Sequence, residues 1–148
     1  MIPEATHQPM LKEFISKTTK PILELGAGDS STRQIHEWCQ NRILTVDDSA
    51  YWLNKHIDLQ DERHAFRMLD DYQDEDWGLV FVDLINWDLR KEAILKYKDA
   101  DYVVIHDSEW MFAHVINADE FSKLYKYWKE FKELGEPFTV VASNINEL

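Results

Sequence analysis

Apolar residues along the chain fall into short unbroken runs, separated by stretches with helical spacing. Met10, Leu11, Phe14 and Ile15 share one helical face, which predicts a first helix over about Pro9 to Thr18. Pro21 ends it and opens a short apolar strand, Ile22 to Leu25. A turn containing Gly26 and Gly28 follows. Ser31 or Thr32 is placed to cap the next helix, which turns Ile35, Trp38 and Cys39 inward. The runs Ile43 to Val46, Ala65 to Leu69, Leu79 to Val82, Tyr102 to Ile105 and Phe138 to Ala142 predict further strands. Between them, Tyr51 to Leu59 and Asp88 to Tyr97 have helical spacing, the second through Leu89, Ala93, Ile94 and Tyr97. A last helix is predicted over Asp119 to Leu134 from the stripe Phe121, Leu124, Tyr125, Trp128 and Phe131, with Gly135 and Pro137 as its stop.

Apolar strands alternating with helices imply an α/β domain. Its central sheet is mostly parallel and covered by helices on both faces. No repeat, low-complexity tract or Gly/Ser/Pro-rich linker interrupts the 148 residues, so one domain is expected over 1–148, with 1–20 as an N-terminal helical segment. In such a sheet, ligands bind at the carboxyl ends of the strands. Those ends carry Gly26-Ala27-Gly28-Asp29-Ser30-Ser31, then Asp47-Asp48, Asp70-Asp71, Asp83 and His106-Asp107-Ser108. Every one has an acidic residue or a glycine turn, which suits a ligand with hydroxyl and amine donors.

The glycine turn has an ordinary reading as a strand-helix connection and a functional one as a ligand loop. Glycine there allows positive φ and a close backbone approach, and the helix start offers free N–H groups. A phosphate-binding P-loop needs Gly-Lys-Ser/Thr at its end, which is missing. A dinucleotide fingerprint needs a third glycine where Ser31 stands. A loop for S-adenosylmethionine (SAM) needs an acid before the turn and small residues within it, and Glu24 with Gly26, Ala27 and Gly28 supplies these. SAM carries an ammonium and a sulfonium, so an acidic setting favours it. Asp47, about twenty residues past the glycines, can accept both ribose hydroxyls, a feature that a nicotinamide dinucleotide site shares. Asp70 can accept from the adenine amine, or serve only as a turn or helix-cap carboxylate.

The net charge of −12 disfavours a phosphate backbone as partner. Lys123, Lys126, Lys129 and Lys132, broken by Glu130 and Glu133, read as a solvated helix face. No apolar stretch is long enough to span a membrane. Met1 to Met10 lacks the basic and apolar regions of a secretory signal. Cys39 is the only cysteine, so no disulfide can form within the chain and a cytoplasmic setting is expected. Its place on an apolar helix face reads as inert packing.

The run Ile22 to Thr32 resembles motif I of class I SAM-dependent methyltransferases. Val46-Asp47-Asp48 through Leu53 resembles their second-strand motif, and Val80-Phe81-Val82-Asp83 their fourth strand. Val104 to Glu109 followed by Phe138 to Asn144 resembles a small bacterial and phage group of these enzymes. The resemblance implies a Rossmann-like core over 21–148, SAM contacts at Glu24, Gly26, Gly28, Ser30 and Ser31, ribose contact at Asp47, and a contact to the methionine end near Asp83. One departure is a terminal hairpin that reads as shortened by one strand. With no inserted cap, substrate must meet the N-terminal segment, the loop after strand four or a neighbouring subunit, which leaves a homo-oligomer open.

Methyl transfer needs positioning and sometimes a base. His106 is the candidate base, against the plainer reading of a packed histidine. Asp107 is placed to orient it or to bind substrate. Asp83 and Asp107 also occupy the positions of metal-binding carboxylates in catechol-type O-methyltransferases, with Ser108 where that group has Asn; a divalent metal is less expected for that reason. The Asp-Pro-Pro-aromatic segment of DNA amino-methyltransferases is absent from Asp83-Leu84-Ile85-Asn86. Trp87 and Trp110 are candidates for an acceptor pocket and Arg90 for holding a carboxylate, each with core or surface packing as the alternative. The expected acceptor is a small molecule and the expected product S-adenosylhomocysteine (SAH). A SAM-binding module with little activity alone, another SAM-consuming enzyme and a Rossmann-like NAD protein remain as alternatives.

Overall fold

Alternation along each strand decides which residues meet which helices. Strand β1 (Ile22–Leu25) sends Ile22 to one face and Leu23 and Leu25 to the other. Its neighbours β2 (Ile43–Asp47) and β4 (Leu79–Val82) do the same with Ile43, Leu79 and Phe81 against Leu44, Val46, Val80 and Val82. Being buried on both faces, these strands have the continuous apolar runs of a parallel sheet. The computed structural model describes residues 5–148; Met1 to Glu4, part of the stretch read as lacking a secretory signal, lie outside it.

The sheet has seven strands in the order β3-β2-β1-β4-β5-β7-β6. Strands β3 (His64–Met68) and β5 (Tyr102–His106) continue the parallel part. Strand β7 (Thr139–Ser143) runs antiparallel to β5 and to the edge strand β6 (Tyr127–Phe131). Helices α1 (Gln8–Ile15) and α2 (Thr32–Trp38) cover one face, burying Leu11, Phe14, Ile15 and Ile35. Helices α4 (Trp87–Lys96), α5 (Ser108–His114) and α6 (Ala118–Leu124) cover the other with Ala93, Ile94, Met111 and Phe121. Helix α3 (Ala50–His56), extended by a short 3₁₀ turn over Ile57–Leu59, packs Leu53 and Leu59 on Phe66 and Ala27. Each large side chain so buried contributes about 1.5–3 kcal/mol.

The main correction concerns the C-terminal third. The helix expected over Asp119 to Leu134 stops at Leu124, and the rest of the stripe becomes β6. The Asn144 side chain explains the break: it accepts from the Lys126 N–H at 2.7 Å and donates to the Leu124 carbonyl at 2.8 Å. That closes α6 and starts a strand whose partner β7 would otherwise present an open edge. Aromatic residues suit a strand as well as a helix stripe. The terminal hairpin therefore has both its strands, and the shortening read from the sequence does not occur. Gly135, with φ +83°, lies in the loop joining them and does not end a helix. The four lysines are exposed as expected, but they sit on α6, β6 and their flanking loops, not on one helix. Helix α5 had no counterpart in the sequence reading. Cys39 is buried, as its packing role required.

Candidate active site

The connection from β1 to α2 is built from behind by Glu24. Its carboxylate is fully buried and accepts hydrogen bonds from the hydroxyls of Ser31 at 2.6 Å, Thr32 at 2.9 Å and Thr45 at 2.9 Å. Thr32 in turn accepts from the Gly28 N–H at 2.9 Å, so the loop is pinned to the sheet through one acid. Burial pushes the Glu24 carboxyl up to about 7 against the pull of those three hydroxyls, and the charge of Asp83 adds to the rise. Gly26 has φ +101°, and a Cβ there would stand 2.4 Å from the Asp83 carbonyl oxygen. The backbone that approaches this glycine is therefore the protein's own, at the end of β4. Asp47 holds the same loop from the side: its carboxylate accepts from the N–H groups of Ala27 and Ser49, each at 2.9 Å. Burial raises its pKa.

In front of this loop lies a cavity of about 540 Å³, within the usual range for ligand sites. Ala27, Gly28, Ser30 and Ser31 form one wall with Asp47 and Trp52. Asp83, Arg90, His106 and Asp107 form the opposite wall, with His7 between the two. Glu24 and Gly26 stand behind the wall, Asp48 is exposed beside it, and Asp70 lines a separate cavity next to Tyr72 and Tyr97.

The far wall is a compact charge cluster. Arg90 is 5% exposed and spends every part of its guanidinium inside the protein. It donates to the carbonyls of Leu84 and His106, to Asp83 at 3.1 Å and to Asp107 at 3.3 Å, with its plane over the Trp87 ring. Four of its five N–H groups are thus committed inside the protein, and Trp87 supports it and does not line the cavity. His106 donates from Nδ1 to Asp83 at 3.2 Å, while Asp107 stands at 3.7 Å. Asp83 is thus its closer orienting group. Burial works against charge on His106, but the hydrogen bond and charge of Asp83, with the charge of Asp107, raise its pKa overall. Asp107 has φ +59°, an uncommon conformation for a residue with a side chain, where β5 turns into α5.

His7 escaped the sequence reading. It is 1% exposed, donates from Nε2 to the Ser30 carbonyl at 3.0 Å, and meets the His106 ring edge to face at 4.6 Å between centroids. Burial and the neighbouring His106 hold its pKa down at about 4, so it stays neutral. Its Nδ1 and the Nε2 of His106 are both buried with no hydrogen-bond partner among the described residues. Orphaned buried nitrogens of this kind mark a place for a ligand or its proton. Trp110 is half-exposed and packs at a tilt against His114, outside the cavity.

Donor atoms of Asp83, His106 and Asp107 come within 4.8 Å of one another, close enough to share a metal ion. The set does not fit a resident metal, because Arg90 already sits on both carboxylates and two carbonyls hold it there. Ser108, at the third ligand position of the metal-binding relatives, is buried and donates to Glu130 at 2.7 Å. The cavity as a whole is rich in acceptors, and its one arginine already bonds four of the protein's own acceptors. That suits a ligand carrying positive charge and hydroxyl donors.

No protein-family model matches the sequence, and no curated protein matches it. Solved structures do match the fold. An rRNA methylase from Streptococcus thermophilus superposes with a TM-score of 0.64 at 16% identity, over 99% of this chain and 98% of that one. The N-methyltransferase NodS from Bradyrhizobium japonicum, in complex with S-adenosyl-L-homocysteine, gives 0.58 at 13% identity, over 92% and 83%. The bifunctional kinase-methyltransferase WbdD gives 0.62 at 15% identity and 95% of this chain, which spans only 39% of WbdD. The chain has the fold of class I SAM-dependent methyltransferases. Among the described residues, no helix is long and apolar enough to cross a membrane.

Proposed function

We propose that this chain is a SAM-dependent methyltransferase that acts in the cytoplasm on a small-molecule acceptor and releases SAH. One observation carries the reading. The glycine loop, Asp47 and the partly buried Asp83–His106 pair face one cavity at the carboxyl ends of the strands. SAM supplies the methyl group, already activated on a sulfonium. The residues do the rest. Ala27, Gly28, Ser30 and Ser31 hold the amino-acid end, and Asp47 accepts from the ribose hydroxyls with lone pairs left free by its two backbone bonds. Glu24 and Gly26 shape this wall from behind and Asp48 flanks it, while Asp70, in a separate cavity, takes no part. His106 uses its Nδ1–H to bond Asp83, which leaves Nε2 to take a proton from the acceptor. Asp107 holds Arg90 in place, and Arg90 keeps the two carboxylates from repelling one another.

The same fold serves acceptors of very different size, so the acceptor class rests on the acidic surface and the walled cavity. Incubation with methyl-labelled SAM tests it, using a cell extract divided into small molecules and RNA. Label is expected in the small-molecule fraction with release of SAH. Label in RNA would overturn the small-molecule reading. A second reading, a SAM-binding module that works inside a larger assembly, draws on the short span of this chain against WbdD. SAM binding with no label in either fraction would favour it.

A further inference from the structure

Glu24 is connected to the protein surface on the side away from the cavity. The Thr45 hydroxyl that donates to Glu24 also meets Nε2 of His64 at 2.8 Å. Nδ1 of His64 meets Nδ1 of His36 at 2.9 Å, and the two rings stack at 5.2 Å. Nε2 of His36 faces Asp61 at 3.8 Å. His64 is fully buried and lies on Phe66, whereas His36 and Asp61 reach solvent with side chains 21% and 48% exposed. A buried carboxyl is thus joined to water by a hydroxyl and two imidazoles in unbroken contact.

The hydrogen count gives this chain two polarities. With Glu24 ionised, Thr45 donates to Glu24, His64 donates from Nε2 to Thr45, and His36 donates from Nδ1 to His64. With Glu24 protonated, the order reverses: Glu24 donates to Thr45, Thr45 to Nε2 of His64, and His64 from Nδ1 to His36. Four bonds form and three break as one proton enters. A solvent proton binds Nε2 of His36, the Nδ1 proton of His36 passes to Nδ1 of His64, the Nε2 proton of His64 passes to Thr45, and the Thr45 proton passes to Glu24. Both imidazoles end neutral with their tautomers exchanged.

We propose that His36, His64 and Thr45 form a proton relay that sets the charge of Glu24, and through Ser31 and Thr32 the tightness of the ligand loop. The groups facing the path bear on its poise. Asp83 at the end of β4 opposes charge on Glu24. His36 on α2 and Arg63 before β3 oppose charge on His64, and Asp61 favours it. Burial is the largest effect at both ends, placing Glu24 at about 7 and His64 at about 4, so the acid titrates near neutrality while the imidazole stays uncharged.

Nuclear magnetic resonance on the whole chain, with carboxyl-labelled Glu and nitrogen-labelled His, tests the relay between about pH 5.5 and 8.5. Glu24 is expected to titrate, and His64 to change from the Nδ1–H to the Nε2–H tautomer with the same midpoint and no charged intermediate. Thr45→Val, which keeps the side-chain shape, is expected to end that shared midpoint. A single His64 tautomer across the range, or a Glu24 that does not titrate, would overturn the relay. So would co-titration that survives Thr45→Val. The effect on the ligand loop rests on the proposed SAM site. The titration itself is read without ligand, so failure of SAM to bind would count against that function and not against the relay.

Discussion

Two buried polar clusters meet at the end of β1 and β4, and they are finished differently. Around Glu24, neutral hydroxyls from the start of α2, the residue before it and β2 supply every bond that the acid needs, and among the described residues Glu24 lines no cavity. Around His106, four ionisable groups share a cavity wall, one backbone residue is left-handed, and two histidine nitrogens have no partner among the described residues. A closed network braces a loop. An open network keeps its unmet hydrogen-bonding capacity for something that arrives.

Breaking the open cluster has the largest expected effect. Arg90→Met leaves Asp83 and Asp107 with only His106 as a basic neighbour, and urea denaturation is expected to show a loss of roughly 3 kcal/mol, the low end for a broken buried pair because both carboxylates keep some contact with water. Arg90→Lys should not restore it, since an ammonium lacks the fork that reaches four acceptors. An unchanged unfolding midpoint in Arg90→Met would deny Arg90 its place at the centre. Next comes His106→Asn, expected to preserve SAH affinity and lower turnover by roughly 100- to 10,000-fold. Lost SAH binding would make His106 part of the ligand wall and not the base.

His7 and Glu24 should also respond oppositely to acid, while His106, with its raised pKa, shares the sign of Glu24. His7, held at about 4 against an ordinary 6.5, binds its proton more readily unfolded, so its contribution rises with pH between about 4 and 6.5 and amounts to at most about 3 kcal/mol. Glu24, raised to about 7 from 4.5, binds its proton more readily folded, so its contribution falls with pH between about 4.5 and 7. Chemical denaturation of His7→Phe across this range should lose the rising limb; an unaltered slope would show that His7 is not buried as described. The smallest effect is on binding alone. Asp47→Ala is expected to weaken SAM by about 1–3 kcal/mol, and equal affinity would remove the ribose role.

What the sequence disclosed follows the same division. Strands β1, β2, β4 and β5 are apolar on both faces, so their runs mark them without ambiguity, and the loop and Asp47 are local signals attached to their ends. The C-terminal stripe misled because Phe121, Leu124 and Tyr125 are helical while Trp128 and Phe131 continue the same spacing on a strand. Only Asn144, twenty residues past Leu124, reveals the break. For a related reason His7 gives no signal in the sequence, and Arg90 is legible as a carboxylate partner but not as a partner of the protein's own Asp83 and Asp107. His7 acts on Ser30, and Arg90 on the His106 carbonyl, across separations that only the fold closes. The motif marks Glu24 as a ligand contact, whereas its bond from Thr45 depends on the register that pairs the two residues across β1 and β2.

Calorimetric titration of the purified chain with SAM, SAH and NAD tests the central claim most directly. SAM and SAH are expected to bind one site each while NAD does not, because an acidic cavity with no free arginine repels a pyrophosphate. Binding of NAD with neither adenosyl ligand bound would contradict it.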